Sequence, residues 1–410
     1  MIYKIQPPLS LHAFVGLPAS KSISNRVLLL NALSRSSYPV ENLSTSDDTQ
    51  TLWKALHSSE THLDVGAAGT SMRFLTAYLA QTTGDWTITG TERMKNRPIA
   101  ILVNVLRALG ADIDYLEKDG FPPLHIRGKK LRGGKISLDG SVSSQYLSAL
   151  LMIAPTLNNG LELQLEGNII SRPYISMTIR LMEQYGVQTE WEKQTIRIRP
   201  QMYRPIPFRV ESDWSAASYW YEVLALSPEN TVVELAGLQV DSPQGDANGR
   251  FLFEKLGIQT IFTDNGVLLK KDLQVIKPEF IEYDFINEPD LAQTFVVTCC
   301  LLKISFHFTG LQSLRIKETD RISALQTEMQ KLGYVLQAGI SSIEWTGERC
   351  ALETRPVIAT YEDHRMAMAF APACLQTNEI RIACPTVVTK SYPTYWDDLQ
   401  KAGFRISEEN

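Results

Sequence analysis

Apolar positions recur along this chain with helical spacing, and each recurrence closes on glycine before the pattern switches to the alternation of a strand. The clearest cases are ILVNVLRALG-ADIDYL, MTIRLMEQYG-VQTEW, RFLFEKLG-IQTIF, LQTEMQKLG-YVLQA and DDLQKAG-FRI. A period near 3.6 places one apolar stripe on a helix, whereas a period of two suits a half-buried strand. Glycine ends such a helix at little cost because it adopts the left-handed closing conformation without a Cβ clash. The closing glycines, Gly110, Gly186, Gly257, Gly333 and Gly403, stand 76, 71, 76 and 70 residues apart. Near-even spacing predicts a repeated unit, large enough for a βαβ element with added strands, and roughly six such units fit the chain.

A second helix precedes each of these, with starts near Ser22, Thr70, Ser143, Asp213, Pro289 and Asp363. The glycine-closed helices start near Pro98, Pro173, Asp246, Thr319 and Pro393, and TQTLWKALHS near Thr49 adds one more. Proline in the first turn and Ser, Thr or Asp at the cap are ordinary start signals. Strands such as LHIRG, ISLDG, LELQLEG and TIRIRP lie between. The class is therefore α/β. At 410 residues the chain is too long for one compact core, so two domains of three units each are expected. YRPIPFRVESD, around Pro205 and Pro207, is the expected crossing between them.

Composition narrows the function. The formal net charge of −5 lacks the basic excess of a general nucleic-acid binder, yet local Arg and Lys clusters bind small anions whatever the total. No apolar run is long enough to span a bilayer, and MIYKIQPPLS lacks the apolar stretch of a signal peptide. Cys299, Cys300, Cys350, Cys374 and Cys384 match no zinc motif and make a poor disulfide framework. Free thiols and a reducing cytoplasm fit them. The six histidines are scattered, without metal-ligand spacing.

Chemistry concentrates at the predicted helix starts, where unpaired N–H groups and partial positive charge receive phosphate or carboxylate. In PASKSISNR, Lys21 and Ser22 stand at a start and Arg26 one turn later on the same face. In GAAGTSMRF, Gly66 and Gly69 let a ligand approach the backbone, and the missing GKS or GKT excludes a P-loop. ERMKNRPIA gathers Arg93, Lys95 and Arg97 ahead of Pro98, with Arg97 suited to fork a carboxylate. SVSSQYLSALLMIAP offers Ser143, Ser144 and Gln145 where a single cap would do. RIKETDRISAL carries Lys317 and Arg321 one turn apart, mildly repulsive without an anion between them. Glu318 between them is a candidate proton carrier. YEDHRMAMAFAPACL sets His364 and Arg365 at the mouth of an apolar helix, and VTKSYPTYW sets Lys390 before the last one. Singly, each fits an ordinary capped helix or a solvated cation. Jointly they predict a polyanion site in a cleft between the domains, closed by the anions themselves. Lys21, Arg26 and Arg97 would come from the first half, and Lys317, Arg321, Arg365 and Lys390 from the second.

LPASKSISNR, GAAGTSMRF, RMKNRPI, VSSQYLSALLM, SRPYISMT, EPDLAQT, RIKETDR, DHRMAMA and the Lys390 segment occur in that order from about Pro18 to Tyr395. In this the chain resembles the 3-phosphoshikimate 1-carboxyvinyltransferases, or 5-enolpyruvylshikimate-3-phosphate synthases, of the enolpyruvyl transferase family. KETDR together with DHRMA is highly specific. The resemblance implies an α/β, two-domain enolpyruvyl transferase fold. Each domain would have three βαβαββ-like repeats, with the active site in the interdomain cleft. Residues 18–212 would form the central domain, and residues 1–17 plus 213–410, from both chain ends, the other. It further implies transfer of the enolpyruvyl group of phosphoenolpyruvate to the 5-hydroxyl of shikimate 3-phosphate, with release of phosphate, in the shikimate pathway to aromatic amino acids.

Carried over by resemblance, shikimate 3-phosphate would be held by Lys21, Ser22, Arg26, Ser143, Ser144, Gln145, Ser171, Tyr174, Asp290, Ser313 and Lys317. Phosphoenolpyruvate would be held by Lys21, Gly69, Arg97, Gln145, Arg321, Arg365 and Lys390. Asp290 resembles the family's carboxylate beside the 5-hydroxyl, and Glu318 its partner in moving protons. Either Glu318 or Lys21 would protonate C3. Two positions depart from the family: Ala67 and Ser313 stand where asparagine is frequent. The resemblance implies no metal or organic cofactor, no nucleic-acid or membrane partner, a usually monomeric cytoplasmic enzyme, and sensitivity to glyphosate at the phosphoenolpyruvate site. Two rivals share the scaffold. One is the UDP-N-acetylglucosamine enolpyruvyl transferase, which commonly carries a loop cysteine in its first half. The other is a non-catalytic phospho-metabolite binding protein.

Overall fold

The computed structural model describes residues 1–409. The chain divides into two compact units, Ala19–Val210 in the middle and Met1–Pro18 with Glu211–Asn410 from the ends. Each unit has its own continuous apolar core, and the two lists of core residues do not overlap. The boundaries fall within two residues of positions 18 and 212. Val210 and Glu211 thus mark the crossing, in the Pro-containing stretch that reads as a linker.

Six sheets account for the strands, three in each unit. Five of them have four strands with one pattern: a parallel pair, then two antiparallel neighbours. In the strands His62–Asp64, Gly84–Thr89, Leu124–Gly128 and Asp112–Tyr115, the first two run parallel. A parallel pair needs a long crossover, supplied here by the helix Gly69–Gln81. The last two form a hairpin, so the chain order is βαβαββ. The same order recurs in the unit running from the strand Gly134–Asp139 to Thr195–Ile198 and in that running from Phe280–Asp284 to Ile343–Trp345. The sixth sheet, Val40–Glu41 beside Phe208–Arg209, keeps only the parallel pair.

The five closing glycines all have positive φ, from 80° to 106°, so each ends its helix in the conformation that side chains resist. Within the middle unit, the helices Lys21–Ser34, Gly69–Gln81, Ser144–Ile153 and Arg172–Gln184 pack against one another. Within the other unit, Trp214–Leu226, Ala292–Leu301 and His364–Phe370 do the same, and almost every residue of the three is buried. Helices apolar all round belong in an interior. Most of their polar groups sit at their ends, with Ser218, Glu222, Thr294 and Thr298 as buried exceptions inside.

Candidate active site, residues at the helix ends of each unit

In the middle unit, Ser20 caps the helix Lys21–Ser34 by accepting from the Ile23 amide. Lys21 lies in its first turn, with Nζ 3.6 Å from Oδ2 of Asp48. Arg26 is buried, and its guanidinium donates to Thr178 Oγ1 at 2.7 Å, Ser148 Oγ at 2.9 Å and the Ser22 carbonyl at 2.8 Å. It lies over the rings of Phe74 and Tyr174. Among the described residues no carboxylate pairs with it. Burial lowers its pKa to about 10, partly countered by Tyr174. A buried cation held only by neutral groups is suited to receive an anion.

Gly69 opens its helix, and a Cβ there would stand 2.6 Å from Nη1 of Arg97. It is that close approach, and not its φ, that favours glycine here, since a Cβ would push the Arg97 guanidinium aside. Arg73, one turn on and buried, donates to the Gly69 carbonyl at 3.0 Å and the Pro98 carbonyl at 3.5 Å, tying the glycine turn to the Arg97 segment. Ser143 caps the helix Ser144–Ile153 by accepting from the Gln145 amide, and the Gln145 side chain donates to Thr70 Oγ1 at 3.3 Å. Ser171, at φ 52°, begins the helix Arg172–Gln184 that carries Tyr174 under Arg26. Four packed helices thus present Lys21, Ser22, Arg26, Gly69, Ser143, Ser144, Gln145, Ser171 and Tyr174 near their N-terminal turns, with Arg97 lying against Gly69.

In the other unit the centre is Asp290, on the turn Pro289–Leu291. Its Oδ1 accepts from Lys317 Nζ at 2.7 Å and Arg321 Nη1 at 2.8 Å, and its Oδ2 from Arg365 Nη2 at 3.1 Å. Arg365 also donates to the Asp290 carbonyl at 3.2 Å. Burial, the largest influence, would raise the pKa of Asp290. Arg365, Lys317 and Arg321 together outweigh it and hold the carboxyl well below the usual range. Lys317 and Arg321 are like charges one turn apart, and Asp290 is the anion between them. Arg321 is wholly buried and is shared with Asp363 at 2.6 Å and Glu318 at 2.8 Å. Glu318 is thereby an ion-pair partner of Arg321 as well as a candidate proton carrier. Asp363 caps the helix His364–Phe370 through the Arg365 amide.

Ser313, on the turn Gln312–Ile316, has a buried hydroxyl without a hydrogen-bond partner among the described residues. Lys390 Nζ donates to the Glu362 carbonyl at 2.9 Å, two residues before His364. The functional reading of the sequence passed over Asp48, Arg73 and Ser215, and took Asp363 and Asp246 only as helix starts. The available signal was an acidic residue near each basic motif, which a cap also explains.

The chemistry on view is that of an α/β protein whose helix ends collect cations, hydroxyls and a pinned carboxylate, a set suited to acidic small molecules. A family model described as EPSP synthase (3-phosphoshikimate 1-carboxyvinyltransferase) matches residues 5–60 and 54–399. A 3-phosphoshikimate 1-carboxyvinyltransferase of Bacteroides fragilis is 57% identical over 408 residues, covering 99% of both chains. One from Vibrio campbellii is 35% identical, covering 97% of this chain and 98% of that one. The EPSP synthase structure from Acinetobacter baumannii superposes with a TM-score of 0.78 at 20% identity over the full length of both chains, a likeness of fold. This chain belongs to the EPSP synthase family.

Proposed function

We propose that the residues described above carry one reaction, transfer of the enolpyruvyl group of phosphoenolpyruvate to the 5-hydroxyl of shikimate 3-phosphate. The chain is a transferase of the shikimate pathway, as its family membership states. The observation that carries the assignment of roles is Asp290, a carboxylate kept ionised beside three cations.

Shikimate 3-phosphate is held by Lys21, Ser22, Arg26, Ser143, Ser144, Gln145, Ser171, Tyr174, Asp290, Ser313 and Lys317. The phosphate settles the uncompensated charge of Arg26. Phosphoenolpyruvate is held by Lys21, Gly69, Arg97, Gln145, Arg321, Arg365 and Lys390. Its carboxylate draws Arg321 and Arg365 away from Asp290, and the proton affinity of Asp290 rises as their pull weakens. Substrate arrival therefore turns a poor base into a serviceable one. The 5-hydroxyl oxygen attacks C2 while its proton passes to Asp290 and C3 gains a proton from Glu318 or Lys21. The tetrahedral adduct then expels phosphate and loses a proton from C3, restoring the double bond. The cations stabilise the carboxylate and the departing phosphate.

All five cysteines are free, in keeping with a reducing compartment, and no helix among the described residues is long and apolar enough to cross a membrane. Since one chain supplies every proposed contact, a monomer suffices. Phosphate release from phosphoenolpyruvate should require shikimate 3-phosphate and fail with UDP-N-acetylglucosamine. Release with the nucleotide sugar alone, or with neither, overturns the reading.

A further inference from the structure

Behind Arg365 lies a chain of polar groups that substrate binding does not use. Arg365 Nη2 divides itself between Asp290 Oδ2 at 3.1 Å and Ser215 Oγ at 3.5 Å. The Ser215 hydroxyl in turn donates to Oδ2 of Asp246, a tight contact. Ser215 is fixed from its other side, since its amide donates to Asp213 Oδ1 at 2.8 Å. Asp246 is buried on the short turn Gly245–Asn248, and its Oδ1 has no hydrogen-bond partner among the described residues. The donors run one way, from guanidinium to hydroxyl to carboxylate, so each bond polarises the next. A buried carboxylate held by one hydroxyl is costly as mere packing.

We propose that Ser215 and Asp246 are positioning residues for Arg365, keeping its guanidinium aimed at the substrate carboxylate when Asp290 turns to the reacting hydroxyl. This rests on the enolpyruvyl-transfer reading above. Asp290 holds Arg365 at two points, its carboxylate and its backbone carbonyl. Once the Asp290 carboxylate serves the hydroxyl, the Ser215–Asp246 chain continues to hold Nη2 while the Asp290 carbonyl stays on Nη1, and the planar fork keeps its orientation.

The groups facing Asp246 are Asp290 on its turn, Arg365 on its helix, Asp213 at the cap of the helix Trp214–Leu226, and Tyr283 on the strand Phe280–Asp284. Glu288 stands beyond, on Asn248 and Tyr283. Burial first, then the charge of Asp290, push the Asp246 carboxyl up to about 7, against the pull of Arg365 and Ser215. Its proton is therefore exchanged near neutrality, and only the ionised form holds Ser215 strongly.

The test compares wild type, Asp246→Asn and Ser215→Ala with both substrates from pH 5.5 to 8.5. Asp246→Asn should raise KM for phosphoenolpyruvate about tenfold above pH 7.5, and the gap should close below pH 6, where the wild-type carboxyl is itself neutral. KM for shikimate 3-phosphate should change less than twofold. Ser215→Ala should raise KM for phosphoenolpyruvate at every pH. The titration of the substrate's own phosphate occurs in all three proteins and cancels in the ratio. A ratio of wild type to Asp246→Asn that stays constant with pH, or equal rises in both KM values, overturns the proposal. Wild-type protein that forms no product would instead refute the functional reading. The relay is then judged by the ¹³Cγ titration of Asp246, assigned by difference from Asp246→Asn. Its midpoint should move upward in Ser215→Ala, and an unmoved midpoint overturns it.

Discussion

Replacing Asp290 with asparagine removes one charge and leaves the shape. Three cations then share a region from which their common anion has gone: Lys317 at 2.7 Å, Arg321 at 2.8 Å and Arg365 at 3.1 Å. Arg321 keeps Asp363 and Glu318, whereas Arg365 loses the carboxylate that holds it. Breaking a buried pair from one side costs about 3–5 kcal/mol, and partial exposure of Lys317 reduces this to roughly 2–4 kcal/mol. Turnover should fall about 10²–10⁴-fold, the range for losing a positioned base. The same substitution should favour anions, because a bound one replaces the missing charge. Phosphoenolpyruvate at about 100 times its Kd returns roughly 2.7 kcal/mol, so the melting temperature lost on substitution should be largely recovered on adding it. Phosphate release and thermal melting with and without ligand read both effects. Wild-type turnover in Asp290→Asn, or a melting temperature that ligand does not rescue, would refute the charge argument.

Three further outcomes follow from the geometry. Glu318→Ala should fold, since Arg321 retains two other carboxylates, yet lose most of its turnover in the phosphate-release assay. Gly69→Ala should fold but displace the Arg97 guanidinium, which lies 2.6 Å from the new Cβ; steady-state kinetics should show a raised KM for phosphoenolpyruvate with that for shikimate 3-phosphate little changed. Glu222 is fully buried on the helix Trp214–Leu226 and burial raises its pKa well above normal, against a weaker pull from Thr298. A raised folded pKa means stability present below about pH 4 and lost as pH rises, by about 1.4 kcal/mol per unit. Glu222→Gln should flatten that slope between pH 5 and 8 in denaturant titrations, and an unchanged slope would contradict it.

Much of the fold was legible because its punctuation is chemical. Only glycine closes five helices at positive φ cheaply, and Ser143, Asp213 and Asp363 are caps by their own side chains. The two-residue strand Val40–Glu41 was not legible, since a pair of residues has no period. Basic residues of the candidate site were visible because cations at helix starts are locally unfavourable and so stand out. Their counter-ions were not: Asp363 looks like any cap, and Asp246 looks like any residue of a turn. That Asp290 joins residues 317, 321 and 365 is a tertiary fact with no local trace.

The strand Ile2–Gln6 lies in the interior of its sheet, hydrogen-bonded on one edge to Ile380–Ala383 and on the other to Arg405–Glu409. On the ribosome, this strand must wait for residues 380–383 and 405–409 to be synthesised before either neighbour exists. The middle unit has all its strands in hand once Arg209 has left the exit tunnel. Synthesis thus imposes an order: the central lobe can mature while its host is still incomplete. A nascent chain stalled short of residue 380 should carry a protease-resistant centre while Ile2–Gln6 and Val357–Ile358 still lack their partners.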